Sequence, residues 1–283
     1  AALNVFCSLL TLWVIKYGIS KFTTYIKLII LLTVYQAAFD ASLFIMNFAH
    51  DKDGNVLYSA IASQFFFGAS CGTASALFSF VIALVLSIIV VNRSYFDLSQ
   101  YFNMIHGSVV VISIAVGLAV ACSYNDGHPE NLHISLEVYD SLRIAVIVGD
   151  LVVLAITYRY SNHGARESLM KRSVNPVHVL MKRLALYPLV QVVSRLPVQI
   201  YQSSYKRPMM SYLTQTNPSG WETFLFLLSV VTVPTGGVGN MLVFFIVQPE
   251  AQKYIRGRVA RFLDMLGFHG AARTVIEDGK RKS

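Results

Sequence analysis

Charged side chains are scarce in this chain. Asp, Glu, Lys and Arg make up 13% of its 283 residues, against 55% hydrophobic residues, and the mean hydropathy is +0.55. Soluble domains carry about 25% charged residues. Half that share cannot cover a globular surface, so the apolar side chains need lipid as their solvent. Cysteine is almost absent: Cys7, Cys71 and Cys122 form an odd set with no C-x-x-C, which excludes a zinc site and a disulfide framework. No metal-ligand spacing, nucleophile–base pair or phosphate loop occurs, and the seven histidines fall mostly in loops. The expectation is a protein that is not an enzyme and holds no cofactor and no metal. The net charge of +8 does not point to nucleic acid, because the basic residues lie between apolar runs, where membrane topology places them.

Long apolar runs are what the chain has in quantity. They cover approximately 3–15, 26–48, 57–91, 102–122, 141–158, 184–205 and 220–247, joined by short polar connections. A membrane-crossing helix needs about 20 apolar residues, whereas strands of a barrel need about ten. The fold class predicted is all-α: a polytopic membrane protein built as a seven-transmembrane helix bundle. The first run is shorter than a span, which predicts a chain that begins inside its first helix.

Orientation follows from Lys and Arg. Eighteen fall on one side: Lys16, Lys21 and Lys27, then Arg93, then six between 159 and 183, then eight in the tail. Lys52, Arg143, Lys206 and Arg207 fall on the other side. The basic side is assigned to the cytoplasm, with the N-terminus outside, the C-terminus inside and the plasma membrane as the expected site. After the last run, Gln248-Pro249-Glu250 signals a new helix start. Ile255, Val259, Phe262, Leu263 and Leu266 then share one face, with Lys253, Arg256 and Arg261 on much of the other. The domains expected are a bundle over 1–248, an amphipathic helix on the inner membrane surface over 249–268, and a basic cytoplasmic tail over 269–283.

Charges inside a bilayer cost about 2.5–3.5 kcal/mol or more at mid-depth. Three are evident: Asp40, Asp150 and Arg195. At 1.5 Å per residue, Asp150 and Arg195 reach the same depth on successive spans, which predicts an ion pair. Pro188 and Pro197 in span six and Pro234 in span seven weaken helix hydrogen bonds and make pivots. Small residues Gly68, Ala69, Gly72 and Ala74 let neighbours approach span three closely.

Three stretches resemble one receptor family. Span six carries Leu186-Tyr187-Pro188-Leu189 followed by Arg195-Leu196-Pro197. Span seven carries Pro234-Thr235-Gly236-Gly237-Val238-Gly239-Asn240, with Phe244 beyond. Span three carries Gln64-Phe65-Phe66-Phe67 and Ser75-Ala76-Leu77-Phe78. Together they resemble the seven-helix G-protein-coupled receptors of the cyclic-AMP-receptor-like group, with slime-mould, plant and protist members. The chain departs from that group at Ile61, where an outer cysteine is usual, and at Asn92-Arg93-Ser94, where D-R-Y is sought.

The resemblance implies signal transduction from an extracellular ligand to a cytoplasmic cleft and a heterotrimeric G protein. On that reading Gln64, Tyr201, Gln202 and Trp221 would line the ligand cavity, and Asp40 and Asn240 would border a water- or ion-filled polar core. Arg93, Arg172, Lys182 and Arg183 would lie at the coupling face. Two other readings stay open: a structural subunit of a larger membrane assembly, and a transporter or channel.

Overall fold

A computed structural model describes residues 2–20, 23–46, 58–92, 97–125, 129–169, 185–205, 218–233, 235–269 and 274. Among them are nine α-helices, one 3-10 turn and no strand. The helices are α1 (Ala2–Gly18), α2 (Thr24–Met46), α3 (Tyr58–Asn92), α4 (Phe102–Asn125), α5 (Pro129–Leu169), α6 (Leu186–Tyr205), α7 (Gly220–Thr232), α8 (Thr235–Val247) and α9 (Pro249–Met265); the turn is Leu98–Gln100. Four stretches are long and apolar enough to cross a membrane: Thr24–Leu43, Ser63–Ile89, Phe102–Ser123 and Glu137–Tyr160. Counting α7 and α8 as one bent span makes five. This is the build of a multi-pass integral membrane protein, in which helices satisfy every backbone group within the segment.

Local chemistry explains the helix ends. Ser219 caps α7 by accepting from the backbone N–H of Glu222 at 3.1 Å. Pro249 opens α9, where a missing N–H costs nothing. Asp97 caps the turn before α4, accepting from the Ser99 N–H at 3.0 Å and the Ser99 hydroxyl at 2.6 Å. Those two bonds hold the Asp97 carboxyl below its ordinary pKa. Hydroxyls inside the apolar helices return to the preceding turn, as Thr11 does to Cys7, Thr33 to Ile29, Thr157 to Val153 and Ser229 to Leu225.

The helices close into a ring around α3. Helix α3 packs against α2, α4, α5 and α6; α6 packs against α5, α7 and α8; and α1 joins α2 to α8. Two glycines mark close approaches between helices. A Cβ at Gly117 of α4 would lie 1.8 Å from the Ser70 hydroxyl of α3. One at Gly237 of α8 would lie 2.9 Å from the Asn4 Cα of α1. In lipid such close backbone contact replaces hydrophobic exclusion as a source of cohesion.

Two expectations need correction. Helix α5 starts at Pro129, well before the apolar run at 141, so Arg143 lies nearly four turns inside a helix and is buried rather than sitting in an outer connection. The last apolar run is not one helix but two, bent by 42° across a break, where the sequence carries the span-seven proline. Pro234 itself lies outside the described residues. Helix α6, by contrast, stays helical through Pro197.

Helix α9 folds back along the bundle. Ala251 is fully buried, and the Tyr254 ring lies over Gly18 and 5.5 Å from the Trp13 ring. Glu250 accepts from the Ser20 backbone N–H at 3.2 Å. Val259, Phe262 and Met265 stay exposed on its second half, as do Leu266 and Phe268 just beyond its end.

Candidate functional site: a polar layer across the bundle

The interior divides along the bundle axis. Toward α9 it is apolar: Val14 and Ile15 of α1, Leu28, Ile29 and Leu32 of α2, Phe78, Ile82 and Leu86 of α3, Tyr187 of α6, and Phe244 and Val247 of α8 form one continuous cluster. Farther along the same helices, buried polar residues take over. They include Asn4, Gln36, Asp40, Ser79, Arg143, Asp150, Gln191, Ser194, Arg195, Gln199, Glu222 and Asn240.

Helix α6 supplies much of this layer because its polar residues repeat with helical period. Gln191, Arg195 and Gln199 are four apart, so they share one face, and that face points inward. Its outward face carries Leu189, Val193 and Ile200.

Two buried guanidinium groups meet at one aromatic ring. Arg195 of α6 lies 4.3 Å from the centroid of Phe39, and Arg143 of α5 lies 5.9 Å from the same centroid. A ring face attracts a cation and lets both arginines be buried without direct carboxylate contact. Arg143 also donates to the Tyr139 hydroxyl at 3.0 Å. Asp40, next to Phe39, interacts electrostatically with Arg195, faces Asn4, and accepts from the Gln36 amide at 2.7 Å. Asn4 in turn reaches the Val233 carbonyl at the α7–α8 break, at 3.4 Å.

The expected Asp150–Arg195 ion pair is not formed. Asp150 accepts from the Ser79 hydroxyl of α3 at 3.0 Å, while Arg195 lies over Phe39. Both nevertheless line one small cavity, with Gly72, Ser75, Ala76, Arg143, Val146, Ile147 and Gln191. The depth argument set the level of the two charges correctly but not their direction around the helices. The countercharge interacting with Arg195 comes from α2, through Asp40.

The other predicted residues scatter. Tyr201 is buried and donates to the Glu222 carboxylate at 3.0 Å, and Gln202 accepts from the Gln199 amide at 3.2 Å. Gln64 is half-buried beside Gly68. Trp221 does not face the interior: it is 60% exposed and stacks on Phe224. Asn240 is buried, but its amide makes no hydrogen bond, so the polar contacts of Asp40 run to Gln36, Asn4 and Arg195 instead. Pro188 and Pro197 are buried in α6. Arg93, Arg172, Lys182 and Arg183 lie outside the described residues.

Several members of the layer escaped sequence reading. Arg143 stands at the edge of an apolar run, where a basic residue reads as a loop charge. Glu222 sat in the first turn of α7, where an acid is ordinary. Gln191 and Gln199 carry no charge, but their spacing around Arg195 was a readable signal. Among the described residues no cluster of His, Cys, Asp and Glu is suited to a metal, and Cys7, Cys71 and Cys122 are free thiols. No protein-family model matches the chain, and no curated protein matches it.

Proposed function

We propose that the chain is a seven-helix membrane receptor. Its spans are α1, α2, α3, α4, α5, α6 and the bent pair α7–α8, with the N-terminus outside. Helix α9 then lies at the cytoplasmic face, its exposed apolar residues in the inner leaflet and Lys253, Arg256 and Arg261 toward anionic headgroups. An extracellular ligand would act on the polar half, and a heterotrimeric G protein on the end beside α9.

The observation that carries this reading is the division of the interior. A layer of buried charge joins α2, α3, α5 and α6, whereas the α9 end is closed by an apolar plug. Intramembrane charge is costly and belongs with function. A plug at the opposite end gives the bundle a closed arrangement that a ligand can bias against an open one. The bend at α7–α8 and the prolines of α6 supply pivots on the helices that would have to move.

A transporter would share the buried charges. Many transporter folds are built on an internal repeat, and the sequence shows none of the usual kind. That observation favours the receptor. The test is nucleotide exchange on a panel of heterotrimeric G proteins by the purified chain in nanodiscs. Accelerated exchange on any α-subunit supports the proposal. Flux of an ion or solute through proteoliposomes, with no exchange on any α-subunit, would replace it.

A further inference from the structure

Three helices bring polar side chains to the cavity between α3, α5 and α6. From α5 comes Asp150, one of whose oxygens is engaged by Ser79 while Oδ1 has no partner. From α6 come Gln191 and Arg195, whose Nε2 and Nη2 also have none. All three side chains are more than nine-tenths buried and line the same space. Unpaired buried groups of this kind are expensive, and three around one cavity call for a shared partner.

The chemistry of the wall selects the occupant. Two unpaired donors and one unpaired acceptor face it, and the charges along it are Arg143 and Arg195 against Asp150. A metal cation would meet two guanidinium groups. A halide would meet the free carboxylate oxygen of Asp150. A water molecule accepts from Gln191 and Arg195 and donates to Asp150, satisfying all three. The cavity has room for a water molecule, and its wall supplies the polar partners that a buried water needs.

We infer that one bound water bridges Asp150 Oδ1, Gln191 Nε2 and Arg195 Nη2. The two opposite charges of α5 and α6 are thus joined through an exchangeable third partner rather than directly. A hydrated joint of this kind lets α6 shift against α5 without stranding either charge.

The test is an experimental structure of the full chain at a resolution that shows ordered water, with bromide in place of chloride in the buffer. The expected result is a density peak within hydrogen-bonding distance of all three atoms and no anomalous bromide signal there. A bromide peak, or a direct Asp150–Arg195 pair with no peak, would overturn the inference. An independent arm measures thermal unfolding of Asp150→Asn, Gln191→Leu and the double variant. Shared water makes the double variant's loss in Tm clearly smaller than the sum of the single losses, although the two side chains make no direct hydrogen bond. A purely additive loss counts against the bridge.

Discussion

The two halves of this bundle use the same helices for opposite purposes. In α3, Phe78, Ile82 and Leu86 pack into a dry cluster, whereas Ser75 lines a cavity shared with three charged side chains. In α6, Tyr187 belongs to the apolar end and Arg195 to the polar layer, about two turns away. In α8, Phe244 and Val247 seal the bundle, while Gly237 lets Asn4 of α1 come close beside the break. Cohesion at the apolar end comes from shape and dispersion, which tolerate little motion. Cohesion in the polar layer comes from hydrogen bonds and cation–ring contacts, which can be exchanged. A helix anchored in both is suited to carrying a rearrangement from one half to the other.

The largest expected effect lies in the apolar half. Phe244→Ala should destabilise the protein by about 3–5 kcal/mol, because the ring is fully buried among α1, α2 and α8 side chains. Thermal unfolding in nanodiscs reads this, and a loss below about 1 kcal/mol would show that the plug is not tightly packed.

In the polar half, Arg195→Leu should cost about 3 kcal/mol, since it leaves Asp40 buried with its countercharge removed. Phe39→Leu should cost about 1–2 kcal/mol by removing the ring shared by two guanidinium groups. The comparison sharpens if the Phe39 and Arg195 losses are strongly non-additive. Additive losses would mean that the ring merely fills space.

How far the sequence foretells this division depends on the kind of residue. The apolar helices are legible because 20 residues without charge have few other fates. Asp40, Asp150 and Arg195 are legible because a charge within such a run is conspicuous. Arg143 is not, because hydropathy drops where α5 continues from Pro129 as a less apolar helix. Nor is the partner of a buried charge. Residue spacing gives depth along a helix, while direction around it depends on which helices are neighbours, and only the assembled ring brings α2 against α6. The α7–α8 break was foreshadowed by Pro234 among three glycines, but its size of 42° depends on packing against α1.

Smaller effects lie at the α9 end. Glu250→Ala should cost less than about 1 kcal/mol, because its contact with Ser20 is exposed. It should still speed hydrogen exchange in the first turns of α9; unchanged protection would show that Tyr254 and Trp13 alone hold the helix. The smallest effect is pH-dependent. The lowered pKa of Asp97 means that its cap is fully formed above the ordinary carboxylate value and is lost as pH falls through the lower folded value. The protection factor of the Ser99 amide, its rate relative to an unprotected amide at the same pH, should therefore drop only on strong acidification. A drop near neutral pH would exclude Asp97 as its cause.

On the receptor reading proposed above, the apolar end opens when a cytoplasmic partner binds. Leu84 of α3 and Leu189 of α6 are exposed near that end and can carry spin labels once Cys122 is replaced. Their separation, measured by pulsed electron resonance in nanodiscs, is predicted to lengthen when a nucleotide-free heterotrimeric G protein that the chain activates is added. An unchanged distance distribution in the presence of bound G protein would contradict the account.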